Sequence, residues 1–488
     1  MSAEVRALEP KSVWNHFADL NEVPRPSKKE ERVIQFMKDF GEKLKLDTQV
    51  DSVGNVIIRK PATPGMEDRT PIVMQSHLDM VHQKNNDTQF DFLSQGIEMY
   101  IEDDWVKARG TTLGADNGMG VASIMTILAS QNGEIAHPAL EALFTIDEET
   151  GMTGAQGLEA GLLTGKILLN LDTEEDHELT IGCAGGCDVT ARHYYETEPA
   201  PGGVAYCIKV RGLKGGHSGV DIHLGRANAN KLMNRLLWNA AEVSGLRIAE
   251  IDGGSLRNAI PRESIAIVVV PTSNAPAFEE SIASSRAAIL KEYETTDPDL
   301  EISTEPPDDP PSGVLPVSLQ QLLLGTVYAC PCGIHRMCPD IEGLVQTSNN
   351  LARVEVRDGK LEIMCLTRSS VNTERDDLAH AIKANFDLTG ADTQITGAYP
   401  GWQPAPSSDI VQLMSDLYSE LFDGQAHVAA CHAGLECGII GRHYPDMDMI
   451  SFGPTIRGAH SPDERVCISS VQKYWRFLIE TLKRIPPV

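Results

Sequence analysis

An apolar-rich run that ends in three consecutive acids is the part of this sequence best suited to chemistry. The run from Leu140 to Ile146 is followed directly by Asp147, Glu148 and Glu149, and then by a turn containing Gly151. A short apolar run that stops at a turn is typical of a buried strand, and open α/β sheets bind ligands beyond their strands' carboxyl ends. Crowded carboxylates raise one another's pKa unless a cation compensates, so this stretch predicts a metal site.

Four more ligand-type side chains lie at comparable places along the chain. His77 and Asp172 each follow a short apolar strand, Asp116 lies in a glycine-punctuated loop, and His460 lies in a loop near the C-terminus. Together with Glu149 they supply the nitrogen and oxygen ligands that Zn²⁺ or a similar divalent ion accepts. The set is large enough for two ions.

Two neighbouring metal ions need a shared carboxylate, and Asp116 is the best candidate because its flanking glycines allow a close approach. Such a pair of ions would clamp a water and polarise a carbonyl oxygen. A carboxylate beside that water but outside the ligand set would act as general base, and Glu148, next to Glu149, has that place. Asp79, two residues after His77, is placed to orient the imidazole through its other nitrogen.

The elements that must position these side chains are predicted from hydrophobic patterning. Apolar segments 71–76, 140–146 and 166–171 are typical of buried strands. Ser27-Lys28-Lys29-Glu30 has the pattern of a capping box ahead of an amphipathic helix. We therefore expect an α/β fold whose strands deliver acids and a histidine to one edge.

The chain changes character after Gly186. Segment 187–396 alternates strand-like and helix-like patterns, and a proline-rich linker at 305–311 divides it into two halves of similar make-up. We interpret 1–186 and 397–488 as one catalytic domain with a mixed sheet and helices on both faces. The segment between them is interpreted as an inserted α+β domain.

Composition excludes several classes of function. The 488 residues include 69 acidic and 42 basic side chains, a formal net charge of −27 that repels nucleic acid and anionic membrane. The N-terminus lacks an apolar segment after a basic start, and no apolar run is long enough to span a bilayer. Ten scattered cysteines favour free thiols in a reducing compartment. These features predict a cytoplasmic protein.

The motifs, taken together, resemble those of the di-zinc aminopeptidase and carboxypeptidase family. Six of them follow in the family's order: Ser76-His77-Leu78-Asp79-Met80, Gly114-Ala115-Asp116-Asn117-Gly118, Asp147-Glu148-Glu149-Thr150-Gly151-Met152, Leu169-Asn170-Leu171-Asp172, Gly215-Gly216-His217-Ser218-Gly219 and Gly458-Ala459-His460-Ser461-Pro462-Asp463-Glu464. Segments 181–186 and 432–436, with the long insert, are closest to the aminoacyl-histidine dipeptidase branch. The resemblance covers nearly the whole chain.

The resemblance implies a role for each candidate residue of the metal site. Two divalent ions per subunit are implied, zinc in the first place with Mn²⁺ or Co²⁺ as alternatives. One ion would be bound by His77 and Asp172 and the other by Glu149 and His460, with Asp116 bridging. Glu148 would be the general base, and Asp79 would orient the imidazole of His77, as the residue types alone indicate.

In this family the inserted domain is a lid that also forms a homodimer, and the resemblance assigns three substrate contacts to it. His217 would support the scissile carbonyl oxygen, often from the partner subunit, as an oxyanion donor. Arg368 would bind the substrate's C-terminal carboxylate by its bidentate fork. Asn258, in the segment 253–258, would be a further and weaker substrate contact, whereas His432 and Glu436 receive no role.

The function implied is hydrolysis of short unblocked peptides, notably Xaa-His dipeptides such as β-alanyl-histidine. The acidic crevice suits a free amine and Arg368 suits a free carboxylate, so a short peptide would be bound at both ends. An N-acyl amino acid deacylase would need the same metals without an amine pocket. A non-catalytic dimeric scaffold is the alternative from another class, although every expected ligand position is present.

A cysteine-rich loop leaves two interpretations open. Cys330, Cys332, His335 and Cys338 could bind a structural zinc, but their spacing matches no standard finger or ribbon. We favour free thiols in a loop of the inserted domain.

Overall fold

The computed structural model of the chain describes residues 3–131 and 133–488. Its α-helices are α1 (Ala3–Arg6), α2 (Lys11–Asn21), α3 (Glu31–Lys43), α4 (Ala115–Ala129), α5 (Glu148–Gly151), α6 (Thr153–Gly157), α7 (Ala229–Ser244), α8 (Ala275–Glu292), α9 (Val317–Ala329), α10 (Asn372–Asp387), α11 (Asp409–Leu421), α12 (Glu436–His443) and α13 (Ile468–Arg484). Among the described residues, no helix is both long and apolar enough to cross a membrane.

Strands β1 to β12 are β1 (Asp47–Val50), β2 (Val56–Lys60), β3 (Ile72–His77), β4 (Met99–Glu102), β5 (Trp105–Ala108), β6 (Leu140–Thr145), β7 (Ile167–Asn170), β8 (Glu178–Cys183), β9 (Gly185–Tyr194), β10 (Glu198–Pro199), β11 (Val204–Arg211) and β12 (Gly216–His217). The others are β13 (Arg247–Gly254), β14 (Ala259–Ile260), β15 (Ser264–Val270), β16 (Glu301–Glu305), β17 (Gly313–Val314), β18 (Gly333–Met337), β19 (Val345–Arg357), β20 (Lys360–Ser369), β21 (Asp392–Tyr399), β22 (His427–Cys431), β23 (Asp448–Ser451), β24 (Ile456–Arg457) and β25 (Arg465–Cys467).

The first of two compact units comprises the chain up to Gly182 together with 402–430 and 435–488. Its main sheet has the strand order β1-β2-β6-β3-β7-β23-β8-β22. Strand β3 runs parallel to both β6 and β7, whereas β2 pairs with β6 in the antiparallel sense. The mixed sheet with helices predicted for the catalytic domain is thereby confirmed.

Three buried strands at the centre of this sheet position the candidate site. Every residue of β3, β6 and β7 is buried, in accord with their short, largely apolar sequences. Ser76 is paired with Phe144, and Gln75 with Asn170. All three strands therefore end at one edge, and the residues that follow them emerge side by side.

The second unit comprises 183–401 and 431–434. Its sheet has the order β16-β11-β15-β13-β19-β20-β9-β21, with β18 paired to β19 off this path, and all the pairings are antiparallel. Helices α7 to α10 belong to this unit, and its core includes Leu236, Phe278, Leu323 and Phe386. The lid role and the two similar halves predicted for this part of the chain stay predictions.

Candidate metal centre

Asp116 lies between two imidazoles at the start of α4. Its Oδ1 is 3.1 Å from Nε2 of His77, and its Oδ2 is 3.1 Å from Nε2 of His460. The helix is kinked here, because Asp116 and Asn117 have non-helical backbone angles. Helix α4 begins at Ala115, so Asp116 lies in the kinked first turn of this helix and not in the glycine-punctuated loop predicted from the sequence.

Two groups of possible ligand atoms share this carboxylate. One group consists of His77, Asp116 and Asp172, and the other of Asp116, Glu149 and His460, with the ligand atoms of each group within 4.8 Å of one another. Nε2 of His77 is 3.5 Å from Asp172 Oδ1, and Nε2 of His460 is 3.0 Å from Glu149 Oε2. The structure therefore brings together all five residues predicted as ligands.

The donor set fits a pair of divalent cations. It consists only of imidazole nitrogen and carboxylate oxygen, which suit Zn²⁺ and related ions. Glu149 Oε1 is buried and has no hydrogen-bond partner among the described residues, a costly state for a carboxylate oxygen unless a cation is bound. The His460 side chain is 55% exposed, whereas those of His77 and Glu149 are at most 4% exposed, so the centre opens on the His460 side.

Protons take the place of cations in the metal-free centre. Hydrogen bonds to Asp116 and Glu149 raise the pKa of His460 to about 11. Burial alone would lower the pKa of His77, but Asp172 and Asp116 outweigh it and raise that pKa well above its ordinary value. Metal binding must displace these protons, which couples the site's metal affinity to pH.

The metal-free protein is expected to lose stability as the pH rises from 6.5 towards 11. Over this range folded His460, with a pKa of about 11, retains a proton that the unfolded chain, with a pKa of 6.5, releases. The stabilising contribution is complete below pH 6.5 and is lost as the pH rises through the folded pKa. The free energy of unfolding, measured with denaturant across this pH range in the presence of chelator or of saturating Zn²⁺, tests this expectation. We expect stability to fall less steeply with pH in the zinc-loaded protein and in His460→Gln than in the metal-free wild type. Equal slopes in these three samples would contradict a proton held by His460.

Asp79 connects the His77 strand to the turn that carries Glu148. Its oxygens accept the backbone N–H groups of Glu148 at 3.0 Å and Glu149 at 3.2 Å, and Oδ1 lies 3.3 Å from Nδ1 of His77. Burial alone would raise the pKa of Asp79, but these bonds and one from Ser27 outweigh it and lower that pKa. The carboxylate thus stays ionised and orients both His77 and the turn.

The capping box predicted at Ser27 to Glu30 is wrong. Ser27 Oγ donates to Asp79 Oδ2 at 2.8 Å, and Glu30 Oε1 accepts the amide of Asp147 at 3.1 Å. Helix α3 has no side-chain cap. Both side chains instead support the turn after β6.

Glu148 has an uncommitted carboxylate beside the ligand groups. Within the described residues no hydrogen bond to this carboxylate is formed, although the backbone N–H is bound by Asp79. One of its oxygens lies within 4.8 Å of a carboxylate oxygen of Glu149 and of a ring nitrogen of His77. Burial, and then the charges of Asp172, Glu149 and others, raise the pKa of Glu148 well above its ordinary value.

In the second unit, His217 and Arg368 lie together. Arg368 is buried, with Nη1 3.1 Å from the Tyr399 hydroxyl and Nη2 3.4 Å from Nε2 of His217. No carboxylate pairs with this guanidinium among residues 3–131 and 133–488. A buried arginine without a carboxylate partner is well suited to bind an anionic ligand group.

The hydrogen bonds of His217 determine which ring nitrogen carries the proton. Nδ1 accepts the backbone N–H groups of Gly219 at 3.2 Å and Val220 at 3.0 Å. Burial and the nearby Arg368 lower the pKa of His217, so the ring is neutral and its proton lies on Nε2. The Nε2–H and the guanidinium are both donors, so neither can satisfy the other and each can bind a ligand oxygen.

The remaining predicted residues have different surroundings. Asn258 is exposed, and its backbone carbonyl accepts the N–H of Ser218 at 2.8 Å. His432 is buried in the second unit with Nε2 2.8 Å from Ser348 Oγ, and burial lowers its pKa to about 3. Glu436 is buried in the first unit, where Gln75 and Thr145 both donate to Oε2 at 2.6 Å.

Three charged residues near the centre received no role from the sequence. Burial and the charge of Asp116 raise the pKa of Glu174 to about 8, which places an acid without an assigned function close to the ligand groups. Arg25 and Glu464 are buried against the loops that carry the ligands. Their types and positions give no local signal, because their partners are backbone groups far away in sequence.

In the part of the chain that the structure describes, the cysteine-rich loop does not bring its thiols and imidazole together as a group of possible metal ligands. The four groups of possible metal ligands found in the described part of the chain contain only histidine and carboxylate residues. Cys330 is buried with Sγ 4.0 Å from Sγ of Cys365, and His335 is exposed. Nothing here supports the structural-zinc alternative.

Comparison with known proteins decides the family. Residues 73–484 match the model of peptidase family M20/M25/M40. The chain belongs to this family. It is 42% identical over 485 residues to the cytosol non-specific dipeptidase of Escherichia coli (strain K12), covering 99% of each chain. The resemblance stated from the motifs is confirmed.

Solved structures show the same relationship. The crystal structure of aminoacylhistidine dipeptidase from Vibrio alginolyticus matches with a TM-score of 0.93 and 42% identity, covering 100% of this chain and 99% of that one. Aminopeptidase PepT from Bacillus cereus matches with a TM-score of 0.58 at 15% identity, which shows a shared fold alone.

Proposed function

We propose that this peptidase-family member is a metal-dependent dipeptidase that hydrolyses short unblocked peptides, notably Xaa-His dipeptides. The proposal rests on the Asp116 carboxylate, which belongs to two groups of possible metal ligands. The carboxylate of Glu148, which makes no hydrogen bond within the described residues, lies beside these groups. Two proteins that are 42% identical to this chain support the substrate class, because one is a dipeptidase and the other an aminoacylhistidine dipeptidase.

The proposed centre binds two divalent ions, with zinc in the first place and Mn²⁺ or Co²⁺ as alternatives. His77 and Asp172 would bind one ion, Glu149 and His460 the other, and Asp116 both. Bound divalent ions supply Lewis-acid chemistry, since they polarise a carbonyl oxygen and lower the pKa of a bound water.

Proton transfer is assigned to Glu148. Its carboxylate would accept a proton from the attacking water and pass it to the leaving amine, so one group serves as base and then as acid. Burial raises the pKa of Glu148, which makes its carboxylate a stronger base than that of an exposed glutamate. Asp79 would hold the turn in place through the backbone N–H of Glu148 and would orient His77.

The second unit is proposed as a lid that also forms a homodimer. His217 Nε2–H would donate to the scissile carbonyl oxygen, from its own or the partner subunit, and because the ring is neutral this donation needs no protonation step. Arg368 would bind the substrate's carboxylate, and Asn258 is a weaker candidate contact. The carboxylates of the centre suit the substrate's free amine. We propose a cytoplasmic location by analogy with the Escherichia coli relative.

Arg368→Gln is expected to raise KM for an unblocked dipeptide about 10- to 100-fold, because each charge-assisted hydrogen bond contributes about 1.5–3 kcal/mol. Hydrolysis of the same dipeptide with an amidated C-terminus should be equally slow in wild type and variant. Steady-state kinetics on the two substrates measure both effects.

Arg357→Gln is the matched control, because this arginine lies on the neighbouring strand β19 and pairs with Glu250 at the surface. It should leave KM unchanged. An Arg368 variant that lost activity equally on free and amidated substrates would contradict carboxylate binding.

A deacylase on the same centre is the second candidate, since Arg368 suits the carboxylate of an N-acyl amino acid as well. The observation against it is the number of carboxylates at the centre, which suit a cationic amine better than a neutral acyl group. Preference for acetylated over free substrates would favour the deacylase. A non-catalytic scaffold would hydrolyse neither.

A further inference from the structure

Two buried charged side chains, Arg25 and Glu464, bind the backbone of the loop that carries Asp116. Glu464 binds its N–H groups, and Arg25 binds one of its carbonyl oxygens. Their exposed fractions are 1% and 2%, so both charges depend on these partners and on each other. Neither belongs to the ligand groups, and neither has a role in the function proposed above.

Glu464 satisfies four consecutive backbone donors with one carboxylate. Its Oε2 accepts the N–H groups of Leu113 at 2.7 Å and Gly114 at 2.9 Å. Its Oε1 accepts those of Ala115 at 2.7 Å and Asp116 at 3.2 Å. Backbone N–H groups at a helix start have no partner within the helix, so this side chain determines how the chain enters α4 and where Asp116 lies.

Arg25 connects the same loop to the strand that carries His77. Its Nη2 donates to the Gly114 carbonyl at 2.6 Å, while Nη1 donates to the carbonyls of Leu78 and Asp79, both at 3.1 Å. Gly114 has φ of 71°, and a Cβ there would lie 2.5 Å from Nη2. The loop therefore requires glycine at the point where the guanidinium approaches it.

We propose that Glu464 and Arg25 are positioning residues that place the Asp116 carboxylate between His77 and His460. The inference rests on the proposed metal-dependent function, because a bridging carboxylate must present both oxygens within about 0.5 Å of their required places. Glu464 controls the peptide groups on either side of Ala115, and Arg25 relates that segment to the residues after His77. Together they fix the position of Asp116 relative to His77 at the end of β3.

Glu464→Gln tests the proposal with little change in shape. The glutamine oxygen can still accept two N–H groups, but its NH₂ would face the other two, which are also donors. We expect calorimetric titration of the metal-free variant to show Zn²⁺ affinity reduced about 10- to 100-fold, the range typical when a ligand loses its supporting partner. The visible absorption of the Co²⁺-loaded protein should also change.

Arg25→Lys is the second variant, in case Glu464→Gln does not fold. Lysine keeps the charge but lacks the planar fork that reaches carbonyls of two loops. We expect its Zn²⁺ affinity to fall about 10-fold or more.

Glu141→Gln is the control for a general loss of stability. Glu141 is buried at the opposite end of β6, where its Oε2 accepts the N–H groups of Thr164 at 2.7 Å and Gly165 at 2.9 Å. Its substitution should lower the unfolding midpoint yet leave Zn²⁺ affinity within about threefold of wild type, because no ligand group is attached to that loop.

Wild-type Zn²⁺ affinity and Co²⁺ absorption in the variants of Glu464 and Arg25 that fold would overturn the inference, as would an equal loss of affinity in Glu141→Gln. If the proposed function itself is wrong, the wild-type protein gives a different result. Wild type would then bind no divalent ion, or would bind two and hydrolyse no dipeptide.

Discussion

Glu148→Gln is expected to fold, to bind its metal ions with wild-type stoichiometry and to lose about 10²- to 10⁴-fold in kcat, the usual contribution of a positioned general base. The backbone N–H bond to Asp79 remains in this variant, so the turn keeps its position. The change removes only an ionisable oxygen that makes no hydrogen bond within the described residues. Dipeptide hydrolysis and metal analysis on the same sample measure the two effects together.

Glu98→Gln provides a control for removal of a carboxylate elsewhere in the first unit. Glu98 is 52% exposed and pairs with Arg109 on the surface, so its loss should leave kcat unchanged. Retention of more than about a tenth of wild-type kcat in Glu148→Gln would contradict the assignment of the base. Loss of metal together with activity would make Glu148 a ligand instead.

Asp116→Asn is the second substitution with a large expected effect. Because this carboxylate belongs to both ligand groups, its replacement by a neutral amide should leave fewer than two ions per chain after dialysis. Activity should fall at least as far as in the base variant, about 10⁴-fold, because the polarising cations are lost as well.

Asp172→Asn is the matched comparison, since Asp172 belongs to only one of the two ligand groups, the one that contains His77. This substitution should weaken the binding of one ion and leave the binding of the other unchanged. Metal content measured by elemental analysis distinguishes the cases. Two tightly bound ions in Asp116→Asn would contradict a bridging role.

The sheet edge at the centre of the site was predictable because hydrophobic patterning is local. Strands β3, β6 and β7 are short, buried and largely apolar, and each has a residue of a metal-binding type at its end or a few positions after it. Their parallel pairing then brings the carboxyl ends together. Once three strands are recognised, the proximity of His77, Glu149 and Asp172 follows from topology.

The loops were less predictable because distant contacts decide them. Ser27 and Glu30 have the spacing of a capping box, yet Ser27 donates to Asp79, and Glu30 accepts the N–H groups of Lys28 and Asp147. Tertiary hydrogen bonds here replace a local one that stabilises a helix by only about 1 kcal/mol. Local pattern alone could not foresee that replacement.

The supporting charges around Asp116 had no signal in the sequence. Glu464 and Leu113 are 351 positions apart, and Arg25 and Gly114 are 89 positions apart. Each interacts with backbone groups, which are common to every residue type and leave no complementary side chain to recognise. The proton position on His217 is equally invisible, because it depends on the N–H groups of Gly219 and Val220.

The central claim is that this chain cleaves unblocked dipeptides at a centre served by Glu148. The most direct test measures histidine release from β-alanyl-histidine and from N-acetyl-histidine in parallel, with Zn²⁺-loaded wild type and Glu148→Gln. We predict release from the dipeptide by wild type only, with little from the acetylated compound. Faster release from N-acetyl-histidine, or equal release by wild type and variant, would contradict the account.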